Sequence, residues 1–381
     1  MTPPRLLLWP LCGFYFFYFA YSGFYTPYWS LYLTHRGFDG VAIGSLLALV
    51  QATRVVSPGL WGWLADHSGD RRSITLITSI LATLIFAWVF AGESYSAFAL
   101  IMVGAGFFWA AALPLVEATT LSLFAGNAAK YTKVRVWGSW GFAVTNLIGG
   151  AWIGWQGVQH LPWLILLTLL GIIAFAWWLP ATAVSGAGKT SGGPDLERPS
   201  LISIAALFAA SALITASHGT YYGFYTLQLK AHDYSGMAIG LMWGLGVLAE
   251  IGVFTHMSKL TSRFHLKNLL LACFAIAVAR FLLIGWMADN FALLLLAQIG
   301  HAATFAVTHA VTMVYVHRFF AGHLQARGQG LYVAIVHGMG GVVGSLAGGW
   351  LWQHTNPSWT FTGAAAFSLF GGLIIASCLR R

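Results

Sequence analysis

The stretch Leu6–Leu33, LLLWPLCGFYFFYFAYSGFYTPYWSLYL, holds no charged side chain. A helix of about 20 apolar residues, at about 1.5 Å each, spans the hydrocarbon core of a bilayer. This run therefore crosses with length to spare. It is too long for a cleaved signal peptide, and no small-residue cleavage site follows it. It is also dense in Tyr, Phe and Trp, which a plain lipid anchor does not need. Two readings stay open at this point: an ordinary membrane helix, or a helix whose tyrosines face a polar pathway.

Gly23-Phe24-Tyr25-Thr26 within this stretch returns as Gly223-Phe224-Tyr225-Thr226. Gly40-Val41-Ala42-Ile43-Gly44 is answered by Gly236-Met237-Ala238-Ile239-Gly240, and Tyr21 by Tyr221. The offsets are about 200 and 196 residues. The chain reads as one half written twice.

Composition sets the class. Of 381 residues, 58% are hydrophobic and 8% charged, whereas a soluble domain carries about 25% charged residues. Twelve apolar segments can be marked: 6–33, 41–64, 73–92, 95–124, 134–156, 161–180, 201–229, 236–258, 267–287, 291–317, 327–352 and 358–378. Backbone groups in lipid must be satisfied internally, so these segments are expected to be helices. The small and polar run at 181–200 reads as a flexible tether. The expected organisation is an all-α membrane protein with twelve transmembrane helices in two pseudo-symmetric six-helix bundles, 1–180 and 201–381. Six helices return the chain to its starting side, so the halves are parallel repeats.

The net charge is +9. With the N-terminus placed in the cytoplasm, fifteen of the nineteen Lys and Arg fall on the inner side, and only Arg36 and Lys230 on the outer. That bias puts both termini in the cytoplasm. The basic residues then anchor loops against anionic headgroups and imply no nucleic-acid partner. Cys12, Cys273 and Cys378 lie scattered in apolar runs without metal-ligand spacing, so no metal or other cofactor is expected.

Between the second and third segments lies Gly62-Trp63-Leu64-Ala65-Asp66-His67-Ser68-Gly69-Asp70-Arg71-Arg72. It reads either as a plain positive-inside turn or as a latch, with Gly62 admitting a close helix neighbour and Asp66 holding a helix-end donor or an arginine. Gly62, Asp66, Gly69, Arg71 and Arg72 resemble the signature loop of the major facilitator superfamily; His67 and Asp70 depart from its basic positions. GFYTPYWSLYL, Ala52-Thr53-Arg54, Lys133-Val134-Arg135-Val136-Trp137-Gly138-Ser139 and Tyr221-Tyr222-Gly223-Phe224-Tyr225 are similar to the branch that holds the lactose permease and nucleoside:proton symporters. The resemblance implies a secondary transporter rather than an enzyme, with the proton as coupling ion. It also implies a monomer in a bacterial inner membrane with a small-molecule substrate.

Ionisable residues in apolar segments are costly and so need a partner or a function. Arg54 and Glu250 stand 196 residues apart, at matching depths with opposite sign. They either pair with each other or meet partners within their own halves. Glu117 and Arg135 resemble the acid and arginine that contact substrate in the lactose permease branch. A carboxylate in a partly dry site can carry a proton, and a structural ion pair is the competing reading. Arg280 stays protonated and could fork onto a substrate carboxylate or neutralise Glu250. His218, His301, His309 and His337 lie in apolar segments. His218 is singled out because it matches Tyr18 in the repeat and shares its segment with Tyr221 and Tyr222.

The expected function is proton-coupled uptake of a small aromatic carboxylic acid resembling 3-phenylpropionate, by alternating access. The alternative is a sugar or nucleoside symporter of the same fold, with an efflux pump third. The expected substrate and coupling residues are Glu117, Arg135, Arg280, Glu250, Arg54, His218, Tyr18, Tyr21, Tyr221 and Tyr222.

Overall fold

The computed structural model describes residues 8–124, 127–180, 200–320 and 324–379. The tether lies outside these residues apart from Ser200, whose hydroxyl caps the next helix by accepting from Ser203 N at 3.1 Å. Arg5, Lys189, Arg198, Arg380 and Arg381, used above for orientation, also fall outside.

The described residues are helical throughout their ordered elements. Before the tether come α1 Trp9–His35, α2 Gly40–Ser68, α3 Arg71–Ala87, α4 Tyr95–Leu123, α5 Ala128–Gln156 and α6 Leu161–Trp177. After it come α7 Leu201–Ala231, α8 Gly236–Phe254, α9 Met257–Arg263, α10 Leu266–Trp286, α11 Phe291–Ile299, α12 Thr308–Phe319, α13 Gln325–Tyr332, α14 Gly340–His354 and α15 Pro357–Cys378. Short polar residues start many of them. The side chains of Asp70, Ser94, Asn127, Ser235, Asn290 and Asn356 each accept from a backbone N–H in the first turn, filling donors the helix itself leaves open.

Ten helical stretches among the described residues are long and apolar enough to cross a membrane. The long helices α1 and α5 are not among them. Tyrosine hydroxyls and indoles lower the hydropathy of α1, and Lys130, Lys133 and Arg135 lie in the first turns of α5. The apolar run at 134–156 therefore understates α5, whose cationic turns extend it back to Ala128.

Three further segments differ from their expected form. The run 236–258 is cut at Phe254, and α9 follows separately. There Thr255 Oγ1 donates to Gly252 O at 2.7 Å, and His256 Nδ1 lies 3.0 Å from the same carbonyl. These side chains compete for the carbonyl that a continuing helix would use. The runs 291–317 and 327–352 are each interrupted by a π-helical segment, Ala303–Val307 and Val333–Met339. The prolines inside helices are Pro27, Pro58 and Pro114, in α1, α2 and α4.

The helices form two compact units. One holds α1, the part of α2 from Thr53 onward, and α3 to α6. The other holds Asp39–Ala52 at the start of α2, and α7 to α15. In the first unit α1 packs on α5 so tightly that a Cβ on Gly141 would stand 2.1 Å from Phe16 O. In the second, α7 packs on α14, and a Cβ on Gly344 would stand 2.0 Å from Ala216 O. Small residues are what let membrane helices approach this closely. The start of α2 joins the second unit in the same way. Gly40 N donates to Gln353 Oε1 at 2.9 Å, and a Cβ on Gly44 would stand 2.5 Å from Ser345 O.

Candidate functional site

In the first unit, Glu117 on α4 and Arg135 on α5 meet, with Nε 3.6 Å from Oε1. Tyr131 donates its hydroxyl to the same Oε1 at 3.2 Å. The guanidinium lies 4.0 Å from the centre of the Phe19 ring and 5.6 Å from that of Tyr15. Both ionic side chains are about a third exposed, at 34% and 29%. The pair is thus held on one side by aromatic faces and open on another.

One face of α1 carries a continuous aromatic run. Tyr18 stacks on Trp109 of α4, with centroids 4.4 Å apart and planes at 9°. Tyr21 also touches Trp109 at 4.9 Å and stacks on Tyr25, which stacks on Trp29. Arg54 of α2 sits 5.9 Å from the Trp109 ring centre, at the reach of a cation–π contact. The buried Nε1 of Trp109 has no hydrogen-bond partner among the described residues.

The second unit gathers most of the remaining candidates. Glu250 of α8 meets His301, with Oε1 2.9 Å from Nε2 and exposures of 16% and 7%. The His301 ring stands 5.4 Å from that of His218 on α7. His218 Nδ1 lies 2.8 Å from Ile214 O, and its Nε2 is 3.3 Å from Thr304 Oγ1. Arg280 of α10, only 2% exposed, donates from Nε to Ala297 O at 2.9 Å and from Nη1 to Thr304 Oγ1 at 3.4 Å. Its guanidinium lies 4.3 Å from the Tyr221 ring centre, a contact worth about 2 kcal/mol when desolvated. Tyr221 donates to Gln298 Oε1 at 2.9 Å, and Tyr222 stacks on Trp243 at 6.1 Å. Three buried nitrogens here lack a hydrogen-bond partner among the described residues: Arg280 Nη2, Gln298 Nε2 and His301 Nδ1.

Arg54 and Glu250 thus each meet a partner within their own unit, Trp109 and His301. Sequence reading singles out neither partner. Trp109 reads like any other membrane tryptophan, and the spacing of His301 and His309 speaks only against a metal pair. The repeat holds the signal. His301 and His309 are eight residues apart, as are Trp109 and Glu117. Glu117 accepts from Tyr131 across α4 and α5; His309 Nδ1 lies 2.9 Å from the Tyr332 hydroxyl across α12 and α13. The first π-helical segment begins two residues after His301, and the second contains His337. Such segments cluster at functional sites in other proteins.

The stretch expected as a loop from Gly62 is built differently: α2 runs on through Gly62 and Asp66 to Ser68, and only Gly69 and Asp70 separate it from α3. A Cβ on Gly62 would meet nothing within 4 Å, so no described helix approaches closely there. Gly69 is needed for its backbone: it ends α2 at φ +70°, a conformation that side-chain-bearing residues resist. Asp66 meets Arg71 at 3.4 Å, and Arg72 donates to Trp177 O at the end of α6. Asp70 caps α3, and hydrogen bonds from Ser73 hold its carboxyl below the usual carboxylate range. With Asp66 65% exposed, the Asp66–Arg71 bridge is worth no more than about 1 kcal/mol.

Residues 8–363 match the family described as MFS_1 like family. The chain belongs to that family. Among curated relatives, this MFS_1 like chain is similar to the "Probable 3-phenylpropionic acid transporter" of Escherichia coli (strain K12), 28% identical over 353 residues, 91% of each chain. It is 26% identical to "Maltose permease" of Geobacillus stearothermophilus over 392 residues, covering 99% of this chain and 95% of the relative. Among solved structures, the nucleoside transporter NupG superposes with a TM-score of 0.83 at 17% identity, over 98% of this chain and 99% of that one. The protein is therefore a multi-spanning, all-α membrane protein of the MFS fold that moves a small solute by secondary active transport and is not an enzyme.

Proposed function

We propose that this chain takes up a neutral, ring-bearing solute, a nucleoside or a sugar, together with a proton. The observation that carries this reading is the Glu117–Arg135 pair. Its cation is already matched by a carboxylate, yet both side chains stay about a third open. Such a pair offers acceptors and donors side by side, as neighbouring hydroxyls require, and leaves no unmatched charge for an acid. The Tyr18–Trp109 stack supplies a flat face for a base or sugar ring, with Trp109 Nε1 as a donor still to be filled. The relatives named for maltose and nucleoside transport support the same substrate class.

Coupling falls to the second unit. Arg280 cannot release its proton, so the proton is held between Glu250 and His301, two groups in hydrogen-bond contact that can each carry it. His218 lies next in line. We place the carrier in a bacterial inner membrane as a monomer, with twelve spans in two six-helix bundles and both termini cytoplasmic, working by alternating access.

A second reading has its own support: Arg280 Nη2 is buried without a hydrogen-bond partner among the described residues and could take a carboxylate, as a substrate like 3-phenylpropionate would supply. Uptake of labelled uridine, maltose and 3-phenylpropionate into cells lacking their own carriers, with and without a protonophore, separates the two. Protonophore-sensitive uptake of uridine or maltose is the expected result. Uptake of 3-phenylpropionate alone would replace the neutral substrate with an aromatic acid.

A further inference from the structure

A crevice of about 450 Å³ opens in the first unit where α3 gives way to the 3₁₀ turn Trp88–Phe90 and α4 begins. Its walls are Ile85, Trp88, Ala97, Leu100 and Ile101, with Ala91 and Gly92 completing the lining. At roughly 30 Å³ per water, it equals about fifteen water molecules. Its walls offer almost nothing for water to bond, so an apolar occupant suits it better. None of the transport residues described above lines it.

Three observations indicate what fills it. First, the mouth is wide open to the outside of the unit: Leu100 is 75% and Trp88 69% exposed. Secondly, exposed aromatics cluster around this end. Phe90 packs on Trp163 at 4.1 Å, and Tyr95 lies against Phe38. Aromatic residues in this setting mark the headgroup level of a bilayer. Thirdly, a cation stands against the lining at Gly92. Arg36 donates from Nη2 to Gly92 O at 2.7 Å and from Nη1 to the Tyr32 hydroxyl at 3.2 Å. Its guanidinium also rests 5.3 Å from the Phe98 ring centre. These contacts fix its position while leaving donors for an anion.

We propose that this crevice is a binding site for a bilayer glycerophospholipid, with an acyl chain between Ile85 and Leu100 and the phosphate on Arg36. Apolar walls, an aromatic rim and a pinned cation at headgroup level match the three parts of that molecule. A neutral lipid would satisfy the walls but not Arg36, and a free phosphate would satisfy Arg36 but not the walls.

The test uses the full chain in liposomes containing a trace of phosphatidylglycerol with a diazirine on its acyl chain. After illumination, labelled peptides are mapped by mass spectrometry. The expected result is labelling of the 85–101 peptide well above that of α6, whose Leu167 and Leu170 are also exposed. Leu100→Trp, on an exposed position that folding tolerates, should fill the crevice and lower that label while leaving the α6 label unchanged. Arg36→Gln should lower it about fivefold for the phospholipid, the change expected for one basic residue at a membrane surface, and not for a diacylglycerol with the same diazirine. Equal labelling of both peptides would overturn the site. Phospholipid labelling no stronger than that by diacylglycerol and unchanged in Arg36→Gln would overturn the phosphate contact.

Discussion

The two units place functional side chains at matching positions and fill them with different chemistry. The first unit sets Tyr18, Arg54 and Trp109 where the second sets His218, Glu250 and His301. One turn system further along, Tyr131 reaches Glu117 in the first unit, as Tyr332 reaches His309 in the second. The first cluster is aromatic, with a cation that keeps its proton. The second holds an acid and histidines that can pass protons. The helices differ in the same direction. Those of the first unit carry Pro27, Pro58 and Pro114, each of which removes one backbone N–H donor from its helix. Those of the second are opened by π-helical segments beside His301 and around His337, which can change register without any covalent constraint. One scaffold, duplicated, thus carries different side-chain chemistry at matching positions of its two halves. On the function proposed above, substrate reading falls to the first unit and proton handling to the second.

That division can be broken by substitution. The largest effect is expected at Glu250. Glu250→Gln keeps the shape and removes the charge, so uphill accumulation in proteoliposomes should fall about 100-fold, near the upper limit of typical coupling free energies, while counterflow continues. Glu117→Ala and Arg135→Ala each remove charge-assisted hydrogen bonds worth about 1.5–3 kcal/mol. They should raise KM by about 10- to 100-fold, and the double mutant should lose little more than either single one. Trp109→Ala should weaken binding about tenfold for solutes with a flat ring, on the scale of base–aromatic stacking, with a smaller loss for acyclic polyols. Competition against labelled substrate measures the difference.

The smallest effects distinguish packing from backbone. Gly344→Leu drives a side chain into Ala216 O and should cost about 1–3 kcal/mol or more, visible as a lowered Tm in detergent. Gly69→Ala should cost about 1 kcal/mol through its positive φ. Gly62→Ala, inside α2 with open space around it, should leave transport unchanged and Tm unchanged or slightly raised. A Gly62→Ala variant as damaged as Gly69→Ala would show that the end of α2 makes contacts in another conformation.

Much of this arrangement is legible in the sequence, for a physical reason. Membrane helices must be long and apolar, so composition exposes them, and a duplicated chain shows matched depths by subtraction. The offset of 196 places Arg54 and Glu250 at equal depth without any coordinates. Their partners are not legible, because Trp109 and His301 are selected by how α4, and the turn between α11 and the first π-helical segment, face α2 and α8. Depth along a helix is a one-dimensional property; facing is not. The breaks at Thr255–His256 and in the two π-helical segments are hidden for a related reason. No proline marks them, and hydropathy averages over the interruption. Gly62 misleads because its neighbours in the motif suggest a packing role, whereas only Gly69 has a backbone that demands glycine.

The most direct test of the divided labour is counterflow and accumulation measured together in proteoliposomes, for wild type, Glu250→Gln and Glu117→Gln. Glu250→Gln should exchange substrate at a near wild-type rate without accumulating it. Glu117→Gln should lose affinity in both assays while its remaining transport stays coupled to the proton gradient. Equal loss of exchange and accumulation in Glu250→Gln, or uncoupled transport in Glu117→Gln, would contradict the assignment of proton and substrate to different units.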